Sequence, residues 1–174
     1  MAKVVAVIGK KKSGKTATVE FLISHLTKDG FKVGALKHTH HHDFTFDTKG
    51  KDTWRFAQAG AKTVIGVSNS EVAVINKTTT LQQSLDRLLA LFKEELDFII
   101  LEGFHTLVSD RKDVYKIITA FDEEELHQTI VGTSPPIIAI TGNVAAKLKT
   151  LVMNIPVIDI KAEGEKLVEL VKAL

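Results

Sequence analysis

The chain has 174 residues, 44% apolar and 25% charged, which fits a soluble globular protein and predicts a single domain over residues 1–174. A formal charge of +2 is too small for bulk nucleic-acid binding. With no cysteine, disulfides, thiolate catalysis and cysteine-ligated zinc are excluded. The N-terminal apolar run is too short for a signal peptide and leads into glycine and lysine. No apolar run reaches membrane-spanning length, so the expectation is a cytoplasmic protein with neither membrane nor nucleic-acid partners.

In chain order, "VVAVI" (Val4 to Ile8) is a β-branched run of the kind buried on both faces of a sheet. Thr16 to Lys28 carries Val19, Leu22, Ile23 and Leu26 at helical spacing, and "KDG" ends it with Gly30 at the cap. "FKVGALK" is a second strand, parallel to the first through a right-handed crossover. "HTHHHDFTFDTKG" is polar without periodicity, and "KDTWRFAQAGA" predicts a short helix ending near Gly60. "KTVIGVS" and "EVAVINK", separated by "NS", predict a hairpin. Leu81, Leu85, Leu88, Leu89 and Phe92 align on one face of a helix over Thr80 to Glu94. "DFIILEGF", "YKIITAF", "PPIIAITGN" and "IPVIDI" are strand candidates. "DEEELHQTI" and Glu163 to Leu174 are helical. The alternation of strands and helices predicts an α/β fold with a mainly parallel sheet.

"GKKKSGKT" (Gly9 to Thr16) fits G-x-x-x-x-G-K-[ST], preceded by a strand and followed by a helix, the context in which this pattern binds phosphate. Gly9 and Gly14 let the backbone turn and aim successive N–H groups at an anion. The helix that starts here adds its positive dipole end. Lys15 is expected at the β- and γ-phosphates and the Thr16 hydroxyl at Mg²⁺. Lys10, Lys11 and Lys12 add positive potential, and Gly9, Lys10, Lys12, Ser13 and Gly14 complete the candidate cradle. The alternative is a basic, solvated turn.

A metal-directed carboxylate is also needed. Glu102 ends the apolar run "FIIL", and strand ends beside a phosphate loop are where such a group can hold Mg²⁺ or its water. Asp47, in "DTKG", fits the D-x-x-G switch pattern but follows no apolar strand. His38, His40 and His42 fall on one side of an extended segment and could share a metal. With no closing ligand apparent, a polar loop near the nucleotide or a partner is the competing reading.

Taken together, these segments resemble the family of molybdopterin-guanine dinucleotide biosynthesis protein B. The resemblance rests on "GKKKSGKT", then "KHTHHHDFTFDTKGKDTWRFAQAGA", then "DFIILEGF". The middle segment is the most specific. It supplies Lys37, His38, His40, His41, Asp47, Gly50, Lys51, Asp52, Thr53, Ala59, Gly60 and Ala61 in the family's order. The chain departs from the family pattern at Tyr115, where proline is expected, and in its three consecutive loop lysines.

The resemblance implies a P-loop NTPase three-layer sandwich with an inserted β-hairpin, here "TVIGVSNSEVAVINK". It implies GTP and Mg²⁺ as ligands, weak GTPase activity and a dimer. It also implies the pathway's protein A as partner, a nucleotidyltransferase that joins GMP to molybdopterin, together with molybdopterin-bearing enzymes. The guanine motif N-K-x-D is absent, so Thr141, Gly142 and Asn143, after a late strand, are the candidate base loop. Two other functions compete: a small-molecule kinase and a metallochaperone-type GTPase using the histidines. Arg55, Arg87 and Arg111 are the only arginines and form no lid, which disfavours the kinase.

Overall fold

The computed structural model describes residues 2–39, 44–77, 84–148 and 151–174. The chain divides into two compact units, Met1–His38 with Leu85–Leu174, and Thr39–Ser84.

The larger unit is built on five parallel strands. They are β1 (Lys3–Ile8), β2 (Val33–Lys37), β5 (Phe98–Glu102), β6 (Tyr115–Thr119) and β7 (Ile137–Thr141), in the order β2-β5-β1-β6-β7. Their β-branched runs are explained by burial on both faces. Side chains alternate between faces, so Val5, Val7, Ile100 and Ile117 point one way, and Ala6, Ile8, Leu101 and Ile118 the other. On the first face lie α1 (Lys15–Lys28), through Val19, Leu22 and Leu26, and α6 (Ile160–Lys172), through Leu167, Val168 and Val171. The second face packs against α3 (Leu85–Leu89), α4 (His105–Val108) and α5 (Glu123–Val131), through Leu85, Val108, Leu126 and Ile130. Helices thus cover both faces of the sheet in three layers, the α/β architecture expected from the alternation.

The smaller unit holds α2 (Asp52–Gln58) and the antiparallel hairpin β3 (Thr63–Val67) and β4 (Val72–Asn76). Val64 is buried, whereas Ile65, Val67, Val72 and Val74 are exposed; cross-strand pairing of Ile65 with Val74 and Val67 with Val72 puts these four on one face. The hairpin was expected from its two apolar runs.

Three expectations are corrected. The helix placed over Thr80 to Glu94 extends in the described residues only from Leu85 to Leu89. Beyond it the N–H groups of Leu91 and Phe92 reach back three residues, to Leu88 and Leu89, tightening the turn before the chain leaves the helix. Phe92 and Leu96 then lie against Gly34 of β2, where a Cβ would come within 2.8 and 2.6 Å of them. Tertiary packing on the glycine therefore overrides the helical period. "IPVIDI" forms no strand: it makes a single bridge to β7, in which Ile140 N donates to Pro156 O and Ile158 N to Ile140 O. Pro156 has no N–H to extend the ladder. The last helix begins at Ile160, three residues before the expected start, with Asp159 as its cap and non-helical torsions at Glu163.

Candidate nucleotide site

The Gly9–Thr16 loop leaves the carboxyl end of β1, the central strand of the five, where parallel strands and helix N-termini converge on one edge of the sheet. Gly9 has φ +152°, and a Cβ there would lie 2.1 Å from the Thr119 carbonyl oxygen on β6. No other residue fits so close to the neighbouring strand. Gly14 has φ +106° and is the N-cap of α1. No side chain caps that helix, so the N–H groups of its first turn face the loop without an internal partner. Lys12 also takes a left-handed conformation, φ +67°, which turns the loop midway.

The lysines divide by role. The Lys15 ammonium crosses the loop and donates to the Lys10 carbonyl. Burial lowers its pKa, partly opposed by the nearby carboxylates of Glu102 and Glu125. The Lys10 ammonium turns to α5 and donates to Gln128 Oε1 at 2.6 Å, while Lys11 and Lys12 are exposed. Ser13 is buried: its hydroxyl donates to Lys10 O at 2.8 Å and lies 2.6 Å from Thr119 Oγ1, so the side chain braces the loop from beneath.

Glu125 was not anticipated from sequence. Its buried carboxylate accepts from Lys10 N through Oε1 at 2.7 Å and from Phe121 N through Oε2 at 3.0 Å. It sits in the first turn of α5, and its own N–H donates to the capping Asp122 side chain at 2.9 Å. The one sequence signal was the D-x-x-E spacing of Asp122 and Glu125, which marks a helix start but not the loop it grips.

Glu102 ends β5 between the phosphate loop and β2. Thr16 Oγ1 donates to its Oε1 at 3.0 Å, and the Lys37 ammonium lies 2.9 Å from both oxygens. Glu102 is 9% exposed. The structure therefore brings Thr16 and Glu102 together, and adds Lys37, which sequence reasoning had noted only as part of a motif. A hydroxyl and a carboxylate at contact distance are hard oxygen donors suited to Mg²⁺, so the residues present fit that ion. Asp47 belongs to the smaller unit. Its Oδ1 accepts from Thr53 Oγ1 and Thr48 N, both at 2.8 Å, tying the turn to the start of α2. Thr141 is fully buried at the end of β7, Gly142 lies beneath Gly14, with a Cβ on Gly14 3.1 Å from its Cα, and Asn143 is exposed. Of the histidines, His38 stacks near Phe104 at 5.1 Å, and His40, His41 and His42 lie outside the described residues. Among the described residues no group of three or more potential ligands could hold a metal.

Comparison with known proteins matches residues 4–143 to the model of the family "Molybdopterin guanine dinucleotide synthesis protein B". A putative molybdopterin-guanine dinucleotide biosynthesis adapter protein of Methanocaldococcus jannaschii is 33% identical over 123 residues, 70% of this chain and 49% of that protein. The molybdopterin-guanine dinucleotide biosynthesis adapter proteins of Haemophilus influenzae and Escherichia coli are 34% and 30% identical, over 75% and 82% of this chain and 74% and 79% of theirs. The chain thus spans about half the length of the first relative and about three quarters of the other two. The crystal structure of Bacillus subtilis MobB superposes with a TM-score of 0.77 at 24% identity, covering 98% of this chain and 96% of that one. A MobB homologue of Bacillus stearothermophilus superposes at 0.71 and 20% identity over 98% and 97%. These two likenesses bear on the fold.

Proposed function

The chain belongs to the family of molybdopterin guanine dinucleotide synthesis protein B, and from that premise we propose that it is a GTP-binding accessory protein with weak Mg²⁺-dependent GTPase activity. In this reading it assists the attachment of GMP to molybdopterin in the cytoplasm. The curated relatives are named adapter proteins of molybdopterin-guanine dinucleotide biosynthesis, which supports the pathway assignment. The observation that carries the nucleotide reading is the uncapped start of α1 beside the Thr16–Glu102 pair. Free N–H groups, a helix dipole and a lysine meet two hard oxygen donors at one sheet edge.

Each residue has a role of its own. The backbone of Gly9 to Thr16 would cradle the phosphates, with Lys15 swinging from the Lys10 carbonyl onto the β- and γ-phosphates. Thr16 donates its proton to Glu102, which leaves the hydroxyl lone pairs for the cation. Glu102 would hold that cation directly or through water. Bound Mg²⁺ would neutralise phosphate charge. The alternative carboxylate is Asp47, whose Oδ1 is engaged within its own turn.

The base is read at the carboxyl ends of strands. Of the candidate loop, Asn143 is the exposed side chain, and it offers one acceptor and one amide donor where a carboxylate could accept twice from guanine. The expected GTP preference over ATP is about tenfold to a hundredfold, roughly 1–3 kcal/mol. A competition titration in Mg²⁺ checks it, and equal affinities would remove the guanine assignment. A preference above roughly a thousandfold, about 4 kcal/mol, would place the reader elsewhere. The partners proposed are the nucleotidyltransferase, called protein A in the pathway, molybdopterin-bearing enzymes and a second copy of this chain. The exposed apolar face of Ile65, Val67, Val72 and Val74 supports an interaction of this kind.

A further inference from the structure

We propose that Lys37 is a positioning residue that competes with the divalent cation for Glu102 and so sets how tightly the nucleotide site takes its metal. The inference rests on the metal reading given above and assigns that reading a control. Lys37 and Glu102 are direct neighbours in the parallel register of β2 and β5, and Val7 lies beside Glu102 on β1. The register places the ammonium between the two carboxylate oxygens, 2.9 Å from each.

The pair is asymmetric. The Glu102 side chain is 11% exposed and that of Lys37 51%. A carboxylate so far out of water requires a counter-charge. Lys37 supplies it, yet its half-exposed, flexible stem can carry the ammonium into water at small cost. The backbone keeps its place meanwhile, because His38 N donates to Glu102 O at 3.0 Å. A cation approaching Glu102 therefore meets a charge that is already neutralised and an ammonium that repels it. Lys37 also lies close enough to Lys15 to contribute to the lowering of that lysine's pKa, which puts its charge within reach of the phosphate loop. A salt bridge serving only stability would leave metal affinity unchanged when removed.

The test measures Mn²⁺ binding by electron paramagnetic resonance in the presence of a non-hydrolysable GTP analogue, with circular dichroism to check folding. Lys37→Met is expected to bind Mn²⁺ about tenfold more tightly than the unaltered protein, equivalent to about 1.4 kcal/mol. Lys37→Gln, which keeps a polar group without the charge, should show the same direction. Lys37→Arg, which keeps the charge, should stay within about twofold. In a Glu102→Gln background, Lys37→Met should produce no tightening, because the contested charge is gone. Unchanged or weaker Mn²⁺ binding in both uncharged variants overturns the proposal, as does tightening that persists without the Glu102 charge. If the unaltered protein binds the analogue neither with nor without Mn²⁺, the nucleotide reading falls and the competition falls with it. Analogue and Mn²⁺ binding that ignore Lys37 would defeat the competition alone.

Discussion

Replacing Glu125 by alanine tests the grip of α5 on the phosphate loop. The side chain is 8% exposed and accepts two backbone N–H groups, those of Lys10 and Phe121, at 2.7 and 3.0 Å. Removing it leaves two donors without partners, each costing about 1–3 kcal/mol when water cannot replace the acceptor. Lys10 and Phe121 are themselves exposed, so water satisfies part of the deficit. The working figure is therefore the lower half of that sum, about 2–4 kcal/mol. If Glu125 acted only as a charge at the start of α5, the loss would be about 0.3–1 kcal/mol. Glu125→Gln retains one acceptor but turns an amide donor towards the second N–H, so about 1–2 kcal/mol is expected. Urea denaturation gives the stability change, and a nucleotide titration gives the affinity, which should weaken because the loop loses its anchor. A Glu125→Ala protein within about 0.5 kcal/mol of the unaltered one, with unchanged nucleotide affinity, would refute the reasoning.

Lys15→Ala should weaken triphosphate binding strongly in a titration, whereas Lys11→Ala, an exposed charge screened by salt, should do much less; equal losses would show that the roles are misassigned. Glu102→Gln should reduce Mg²⁺-dependent phosphate release more than nucleotide affinity, because it removes a charge beside Thr16 and leaves the cradle intact. Asp47→Asn is the matched comparison, and loss of release in that variant alone would shift the metal role to "DTKG". Gly9→Ala drives a Cβ to 2.1 Å from the Thr119 carbonyl at a positive φ, so it should destabilise the protein by about 2–5 kcal/mol in thermal or urea unfolding. A loss below about 1 kcal/mol would mean that β6 yields more readily than its burial implies.

The strand, loop and helix around Gly9–Thr16 were legible in the chain because their signal is local. Glycines, lysines and a hydroxyl at fixed spacing, between a β-branched run and an amphipathic one, specify strand, loop and helix within some twenty residues. The larger sheet strands and the hairpin were legible for the same reason, as apolar runs bounded by turn residues. Sequence also singled out Glu102 as a strand-end carboxylate, but not its surroundings. Those follow from strand order. β5 inserts between β2 and β1, and this alone places Lys37, Glu102 and Val7 in one row and brings Thr16 within 3.0 Å. Glu125 grips Lys10 from 115 residues away, and no local pattern encodes that distance. The early end of the helix at Leu89 has the same origin, whereas the missing strand at "IPVIDI" follows from the local feature of Pro156, which lacks an N–H. Intrinsic propensity amounts to tenths of a kcal/mol per residue, whereas Phe92 and Leu96, partly buried against Gly34, each gain a share of the roughly 1.5–3 kcal/mol that full burial of such a side chain supplies, about 1 kcal/mol. Local pattern decided what each segment could be, and the larger energies of long-range packing decided which segments meet.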